Sequence, residues 1–182
     1  MYDLSLLKNV GEDVFISPNV EIKRPGLISI GNHVAIDSGF YIATAAEIGD
    51  YIHIAPYVHV IGSAKGFLKL GHFTNISLGG RIVCGSDSFL GDGLISAPGL
   101  PEEFRDTLII EPVVFENFAN TGASVTILPG VRLAEGSVIG ANSLVTKSTE
   151  PWTIYAGSPA KPIKTRRKDK MIEFAKRLGY EF

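Results

Sequence analysis

The chain has 182 residues, of which 20% are charged and 45% hydrophobic, and a formal net charge of -2. This is the composition of one compact domain. The charge balance excludes a strongly basic nucleic-acid-binding protein, and no apolar run is long enough for a transmembrane helix, so we expect neither nucleic acid nor a membrane as a partner. The first ten residues lack the apolar run of a signal peptide, which favours a cytoplasmic protein. The single cysteine, Cys84, cannot form an internal disulfide.

An apolar residue recurs at every sixth position through most of the chain. These markers are Val10, Ile16, Ile22, Ile30, Ile36, Ile42, Ile48, Ile54, Val60, Leu70, Ile76, Ile82, Ile109, Phe115, Thr121, Ile127, Leu133, Ile139 and Val145. Four residues after a marker the residue is usually small or β-branched, and turn-forming residues fill many of the remaining places. A period of six fits neither a helix nor a long alternating strand. It favours three-sided coils, each side a short strand and a turn, stacked as parallel strands.

Three hexads make one coil, so the 19 markers predict an all-β fold of roughly six triangular coils. An antiparallel sandwich with turns at intervals of about 8 to 12 residues is the alternative architecture. The strict period of six disfavours it. We therefore expect a parallel β-helix.

Two segments interrupt the period, a short one at Ser63–Lys69 and a long one at 86–108. An insertion into such a coil must loop out from a corner, and loops on a rigid scaffold often carry functional sites. The predicted organisation is a β-helix domain over 1–150 with the inserted loop, followed by a C-terminal extension over 151–182.

A short α-helix is predicted near the end of the chain, with Gly179 as its C-cap. Its apolar face consists of Met171, Phe174, Ala175 and Leu178. We expect this helix to cover one end of the β-helix.

The segments "ILPGVRLAEGSVIGANSLVTKS" and "PWTIYAGSPAKPI" resemble the final coils and C-terminal signature of the hexapeptide-repeat acyltransferases. The resemblance extends over nearly the whole chain. It implies a left-handed parallel β-helix and a homotrimer. It also implies that acetyl-CoA or another acyl-CoA is the co-substrate and lies in a groove between two neighbouring subunits.

Small residues in the last coils would leave room for the pantetheine arm of CoA, although small residues also suit tight corners. These candidates are Gly122, Ala123, Gly140 and Ala141. Basic residues close to the C-terminal signature would bind the CoA phosphates. With the proline of "GSPAK", this second group is Lys147, Pro159, Lys161, Lys164 and Arg167.

The segment "ISLGGRIVCGSDSFLGDGL", followed by "PEEF", is similar to the branch of the family that acylates nucleotide-linked dideoxy amino sugars. That branch uses an aspartate as the base, and the matching position is Asp87, with Ser77 as its polar partner. A carboxylate can accept a proton from the amine as it attacks the thioester. A turn-forming role for Asp87 is the alternative. The substrate-binding candidates are His59, Arg81 and Phe89, and the period of six places His59 one coil beneath Arg81.

Two other functions are compatible with the sequence. An O-acetyltransferase of a free sugar or antibiotic would use a histidine base, often within Asn-His, but the single such pair here, Asn32-His33, lies far from the long loop. His59 is therefore the alternative base. A non-catalytic β-helix scaffold would need neither the long loop nor the basic C-terminal signature.

We expect no metal. A zinc site needs three convergent histidines, or other ligands in their place. His53 and His59 occupy equivalent places on two different sides of the predicted coil and cannot meet within one subunit.

Overall fold

The computed structural model describes residues 2–182 and shows a three-sided solenoid of short parallel strands. Two faces contain six strands each, and the third contains eight, one of which is antiparallel to its neighbour. The predicted parallel β-helix is confirmed, with about seven coils rather than six. The extra coil arises because Thr153–Ala156 adds a parallel strand where the sequence shows no further hexad marker.

The strands are grouped by face. The first face consists of β1 (Asn9–Val10), β4 (Ile28–Ile30), β7 (Ala45–Ile48), β10 (Phe67–Leu70), β15 (Val113–Phe115) and β18 (Arg132–Leu133). The second face consists of β2 (Val14–Ile16), β5 (Val34–Ile36), β8 (Ile52–Ile54), β11 (Asn75–Ile76), β16 (Asn120–Thr121), β19 (Val138–Ile139), β21 (Thr153–Ala156) and the antiparallel β22 (Lys161–Thr165). The third face consists of β3 (Glu21–Ile22), β6 (Tyr41–Ile42), β9 (His59–Ile61), β12 (Arg81–Val83), β17 (Thr126–Ile127) and β20 (Leu144–Val145).

The remaining elements lie outside the faces. They are the hairpin of β13 (Gly85–Asp87) and β14 (Leu108–Ile110), short 3-10 helices at Leu4–Leu6, Pro25–Leu27 and Glu102–Phe104, and the helix α1 (Asp169–Arg177). The first corner joins the first face to the second, the second corner joins the second face to the third, and the third corner leads to the next coil. The division of the chain at residue 150 stays a prediction, although β21 adds a strand to the second face.

The core is a column of aliphatic side chains at the predicted inward positions. On the second face, Ile16, Ile36, Ile54 and Ile76 are fully buried and lie in register from coil to coil. The marker assigned to Ile109 is wrong. This residue is 39% exposed and pairs with Ser86 in the β13–β14 hairpin, outside the solenoid. The solenoid resumes at β15.

Both interruptions leave the solenoid at the third corner. The long excursion includes the hairpin and so extends from Gly85 to Ile110. The short excursion is shorter than the predicted Ser63–Lys69, because strand β10 already begins at Phe67. Gly66 lies close against the preceding coil, where an added Cβ would approach the Thr44 methyl group to 2.9 Å. Glycine therefore allows the short excursion to turn tightly.

Side-chain hydrogen bonds connect successive coils along the first corner. Asn32 Oδ1 accepts from the Glu12 N–H, and the Asp50 carboxylate accepts from the Asn32 N–H at 2.7 Å. His72 Nδ1 accepts from the Asp50 N–H at 3.0 Å, and Asn117 Oδ1 accepts from the His72 N–H at 2.9 Å. Each polar side chain thus satisfies a backbone donor of the coil before it, which a turning backbone would otherwise leave unpaired.

Aromatic residues follow these polar residues and have left-handed backbone conformations. Tyr51, Phe73 and Phe118 have φ values of 56°, 59° and 62°. Such values are uncommon for large residues. Their rings stack, with centroids 5.1 Å apart for Tyr51 and Phe73 and 5.2 Å apart for Phe73 and Phe118. Trp152 continues this aromatic column at 5.6 Å from Phe118.

The C-terminal helix lies along this aromatic column and not, as expected, over one end of the solenoid. Ala175 is 2% exposed and packs with Phe118 and Trp152. The predicted apolar face is partly wrong, because Phe174 and Leu178 are 53% and 55% exposed. The helix contacts a convex corner, which is too narrow to cover a broad apolar face. Gly179 follows the helix with φ of 90°, as expected of a C-terminal glycine.

Two polar contacts secure the C-terminal segment. The Arg166 guanidinium donates to the carbonyl oxygens of Phe118 and Gly136 at 2.7 and 3.0 Å. The Tyr180 hydroxyl donates to Asp50 Oδ2 at 2.6 Å. Burial would raise the pKa of Asp50, but hydrogen bonds, including those from Asn32 and Tyr180, hold it below its ordinary value. The last residues thus contact coils in the middle of the solenoid.

No helix in residues 2–182 has the length and apolar character needed to cross a membrane.

Replacing Phe118 by alanine should destabilise the protein by about 3 to 5 kcal/mol, because the change removes a buried ring that lies between the rings of Phe73 and Trp152. The exposed Phe174 is the matched control, and its replacement by alanine should change the free energy of unfolding by no more than about 0.5 kcal/mol. Denaturant unfolding at one protein concentration measures both values. Equal losses would contradict the packing described for the aromatic column.

Tyr180 should ionise well above the ordinary range of tyrosine. Burial and the hydrogen bond to Asp50 raise its pKa to about 12. The unfolded value is about 10, so the contact stabilises the folded chain below pH about 10, and its contribution is lost as the pH rises toward 12. The difference between the tyrosinate absorbance titrations of the wild type and Tyr180→Phe should show one step near pH 12. A step near pH 10 would contradict the contact.

Candidate active site

Asp87 ends β13, on the hairpin that leaves the third corner. The register Asp87–Leu108 places it on the first antiparallel rungs of the excursion. Its Oδ1 atom accepts a hydrogen bond from the Ser96 N–H at 3.2 Å, so the carboxylate is tied to the interior of the loop. Asp87 is partly exposed and can be reached by a ligand.

A cavity of about 290 Å³ lies beside Asp87 and is bounded by both excursions. The short excursion contributes Gly62 and Ser63, and the hairpin contributes Ser86. Its apolar lining residues are Ile61, Leu108 and Ile110. This mixture of one carboxylate, two hydroxyls and apolar side chains suits a small, partly polar acceptor.

The base of the long loop is closed by the buried carboxylate of Asp106. It accepts from the Ser88 hydroxyl at 2.8 Å, from the Phe89 N–H at 2.7 Å and from the Thr107 N–H at 2.8 Å. The Ser88 hydrogen bond, with those from the two backbone groups, holds the pKa of Asp106 below its ordinary value. Asp106 therefore favours its charged form, and two of its partners, Ser88 and Phe89, directly follow Asp87 in the sequence.

Phe89, a predicted substrate-binding residue, projects from the loop. Its side chain is 67% exposed, and its backbone is left-handed with φ of 58°. It does not line the cavity beside Asp87. Its role in substrate binding stays a prediction.

His59 and Arg81 lie side by side on the exposed surface of the third face, as the sequence predicts. They are paired in register on β9 and β12. His59 Nδ1 lies 3.0 Å from the Tyr57 carbonyl oxygen, which can only accept a hydrogen bond. In the neutral ring the hydrogen is therefore on Nδ1, and the Nε2 atom carries the lone pair that a base requires.

Ser77 lies on the second corner, away from Asp87. Its N–H donates to Thr121 Oγ1 in the next coil at 3.4 Å. Strand β12 crosses the whole third face between Ser77 and the hairpin that carries Asp87. Within one subunit the two residues do not share a cavity.

The small residues proposed for pantetheine stack on the second corner in the two coils after Ser77. The Gly122 N–H donates to the Ile139 carbonyl, and a Cβ at Gly122 would lie 2.7 Å from the Ala141 nitrogen. Glycine is therefore required here by the close approach of the next coil. Ala123 is partly exposed and Ala141 is exposed, which leaves a shallow surface along the corner.

The basic candidates lie near the C-terminal end of the solenoid and are exposed. Lys147 follows β20, Lys161 and Lys164 are in β22, and Arg167 and Pro159 flank that strand. Among residues 2–182, none of these four cations lies within 4.0 Å of a carboxylate oxygen. They remain available to bind an anion.

Two other chemistries have little support in the described part of the chain. No group of three or more His, Cys, Asp or Glu side chains in residues 2–182 is arranged to hold a metal ion. Cys84 is fully buried, and burial raises its pKa to about 11, so the thiol stays neutral and is a poor nucleophile.

Sequence reasoning missed Asp106 and the apolar lining of the cavity. Asp106 stands four residues after Glu102 and three after Glu103, and nothing in the local pattern separates the buried carboxylate from the exposed ones. Leu108 and Ile110 flank an incorrectly assigned marker, Ile109. Recognition of a hairpin with alternating sides would have found them.

These features define a parallel β-helix protein with a carboxylate in a small cavity beside the hairpin and a separate group of exposed cations near the C-terminal end of the solenoid. No protein-family profile matches the chain. It is 39% identical over 171 residues to the dTDP-4-amino-4,6-dideoxy-D-glucose acyltransferase of Escherichia coli, covering 91% of this chain and 85% of that protein. It is 34% identical to a putative lipopolysaccharide biosynthesis O-acetyl transferase from the same species, covering 79% and 74%.

Two solved structures of acyltransferases share this fold. AntD, an N-acyltransferase from Bacillus cereus in complex with dTDP and 3-hydroxybutyryl-CoA, matches with a TM-score of 0.88 and 32% identity over 97% of this chain and 94% of that chain. A hexapeptide-repeat-containing acetyltransferase from Vibrio cholerae shares the fold, with a TM-score of 0.59 and 21% identity over 90% and 73% of the chains. The chain belongs to the hexapeptide-repeat acyltransferase family.

Proposed function

We propose that this protein transfers an acyl group from acyl-CoA to the amine of a nucleotide-linked dideoxy amino sugar. The observation that carries the proposal is the Asp87 carboxylate at the mouth of a small, partly apolar cavity, where it can accept a proton from an amine. The similarity to an acyltransferase for a dTDP-linked 4-amino sugar, and to an N-acyltransferase that binds dTDP and acyl-CoA, supports the same substrate class. A cytoplasmic location belongs to this proposal.

The reaction needs no covalent enzyme intermediate. The amine lone pair forms a bond to the thioester carbonyl carbon, Asp87 takes a proton from the amine, and the C–S bond breaks to release CoA as a thiolate. That thiolate then receives a proton. Asp87 thus contributes as a general base, and the site contributes by holding the two reactants together.

Acyl-CoA would lie along the second corner. The exposed cations at the C-terminal end, including Lys161, would bind its phosphates, and the pantetheine arm would pass Ala141 and Ala123 toward Ser77. Ser77, Ala123, Ala141 and Lys161, which pairs with Ala156 at the end of β21, lie at the second corner. Asp87, at the third corner, does not.

A homotrimer would bring these two corners together. In a ring of identical subunits with the third face turned inward, the second corner of one subunit lies beside the third corner of the next. Ser77 of one copy would then meet Asp87 of its neighbour. Large exposed apolar side chains at these corners support this contact with a second copy. They are Ile61, Leu78, Phe89, Leu90, Leu94 and Ile95, exposed by 44 to 81%.

Variants of AntD provide a further parallel. Solved variants of that protein replace an aspartate or a serine, and the two positions are ten residues apart. Asp87 and Ser77 are also ten residues apart. This spacing supports their assignment to one site.

An acyl-transfer assay with acetyl-CoA and 3-hydroxybutyryl-CoA should show product with nucleotide-linked 4-amino sugars. Asp87→Asn keeps the size of the side chain and removes its basicity, so turnover should fall by about 10² to 10⁴ with little change in substrate binding. His59→Asn, the matched histidine variant, should cost far less.

The opposite ranking would favour the alternative function. The free lone pair on His59 Nε2 is the observation that favours a histidine-based O-acetyltransferase. If His59→Asn abolished turnover, Asp87→Asn stayed active, and free galactosides or chloramphenicol were acylated, that function would replace the one proposed. No thermal stabilisation by CoA would instead favour a non-catalytic scaffold.

Mixing two inactive variants tests the shared site. If Ser77 and Asp87 come from neighbouring subunits, co-refolded Ser77→Ala and Asp87→Asn chains should form some intact sites and recover a measurable fraction of activity. Each variant refolded alone is the control. Recovery no greater than the sum of the controls, or sedimentation showing an active monomer of 19.6 kDa, would exclude the shared site.

Lys161→Ala should raise the apparent Michaelis constant for acyl-CoA about threefold to tenfold without changing turnover, since a phosphate contact far from the thioester is equal in the ground and transition states. Lys176→Ala removes the same charge from the exposed last turn of α1 on the first corner and should have no effect. Steady-state kinetics distinguishes them. Reduced turnover with unchanged CoA affinity would contradict the assignment of Lys161.

A further inference from the structure

The carboxylate of Asp106 is unusual in its surroundings. Its residue is 6% exposed, and it is the single Asp or Glu among the buried residues of the described chain 2–182. A buried carboxylate is costly unless hydrogen bonds replace its hydration. Here a hydroxyl and two backbone N–H groups do so, at 2.7 to 2.8 Å.

These hydrogen bonds join both ends of the long loop. Ser88 and Phe89 follow β13, whereas Thr107 precedes β14. The Ser88 N–H also donates to the Thr107 carbonyl at 2.9 Å. Asp106 therefore closes the loop at its base, at Ser88, which is the residue after Asp87.

The same carboxylate holds a strained backbone. Phe89 has φ of 58° although its side chain is mostly exposed and gains little from packing. A non-glycine residue persists in this region only when its surroundings enforce it. The hydrogen bond from the Phe89 N–H to Asp106 is one such constraint.

A second set of contacts links Asp106 to the loop segment that holds the Asp87 carboxylate. The Asp106 N–H donates to the Leu94 carbonyl at 2.8 Å. Two residues later, the Ser96 N–H donates to Asp87 Oδ1. Asp106 thus reaches Asp87 by two routes, through Ser88 and through the 94–96 segment.

We propose that Asp106 is a positioning residue, which fixes the base of the 86–108 loop so that the Asp87 carboxylate points into the acceptor cavity. This rests on the proposed function of Asp87 as the base. Misplacing a reacting group by about 1 Å can cost on the order of a hundredfold in rate. A loosened loop base would therefore reduce catalysis without altering the acyl-CoA corner.

Asp106→Asn tests the proposal. Its amide keeps the size of the side chain but turns an N–H donor toward one of the three donors, so the loop base should loosen. Turnover should fall about tenfold to a hundredfold with an unchanged Michaelis constant for acyl-CoA. Asp92→Asn is the matched control, because Asp92 is an exposed carboxylate in the same loop, and its change should leave turnover intact.

The double variant separates positioning from a general structural effect. If Asp106 acts through Asp87, adding Asp106→Asn to Asp87→Asn should cause almost no further loss. A further tenfold to hundredfold loss in that background would overturn the proposal. So would full turnover of Asp106→Asn.

A measurement without substrate keeps the test independent of the proposed function. Hydrogen exchange at the Phe89 and Thr107 amides, and tryptic cleavage after the exposed Arg105, should accelerate in Asp106→Asn and not in Asp92→Asn. Ser88→Ala, which removes one of the three donors, should give a smaller acceleration and serves if Asp106→Asn fails to fold. Unchanged exchange in both would overturn the role of Asp106 at the loop base. If the loop results hold but the wild type acylates no nucleotide-linked amino sugar, the proposed function falls, and with it the catalytic part of this inference.

Discussion

The register between neighbouring coils is the constraint on which the rest of this structure depends. Each inward residue lies directly against its counterpart in the next coil, as Ile36 does between Ile16 and Ile54. A shift by one residue would expose the buried column and bury the polar residues. Because the register is the same in every coil, the corners also lie above one another. Residues one coil apart, such as Asp50 and His72, are therefore in contact, and the same kind of contact recurs from coil to coil.

This regularity would allow the proposed acyl-CoA surface and the proposed acceptor site to occupy different corners. The second corner keeps its short turns and small residues, including Gly122 and Ala141, so its backbone remains accessible. The third corner carries both insertions and the Asp87 cavity. An insertion at one corner does not disturb the other, since each coil contacts mainly its immediate neighbours. The small residues of the second corner can therefore coexist with the insertions and the cavity of the third.

A feature can be predicted from the sequence when its cause lies in neighbouring residues, and it is missed when its cause is a contact that forms only on folding. The period of six predicts the faces and the buried positions because each hexad obeys the same rule, and it places His59 beside Arg81 correctly. It fails at Ile109, where apolar character continues but the strand pairs antiparallel outside the solenoid. The period of six also does not predict the path of the C-terminal helix, because the aromatic column of Phe73, Phe118 and Trp152 forms only after the coils stack.

The candidate site shows the same division. Asp87, Ser77 and the basic C-terminal residues stand out through a family resemblance, which compares motifs. Asp106 does not, because its burial and its three donors come from both ends of a loop that the sequence leaves undefined. The separation of Ser77 from Asp87 within a subunit likewise requires the folded coil, since ten residues of sequence give no sign that a whole face lies between them.

The contact between Tyr180 and Asp50 has a consequence for how the chain matures on the ribosome. A solenoid can form coil by coil as it is synthesised, because each repeat needs only its neighbours. Here, however, Asp50 in the middle of the solenoid needs a partner, Tyr180, that is synthesised 130 residues later. The aromatic column therefore stays uncovered until the helix α1 and Tyr180 have been made, although every coil is complete before that point. Truncation near the C-terminus would therefore leave an incompletely protected solenoid, although every hexad is present.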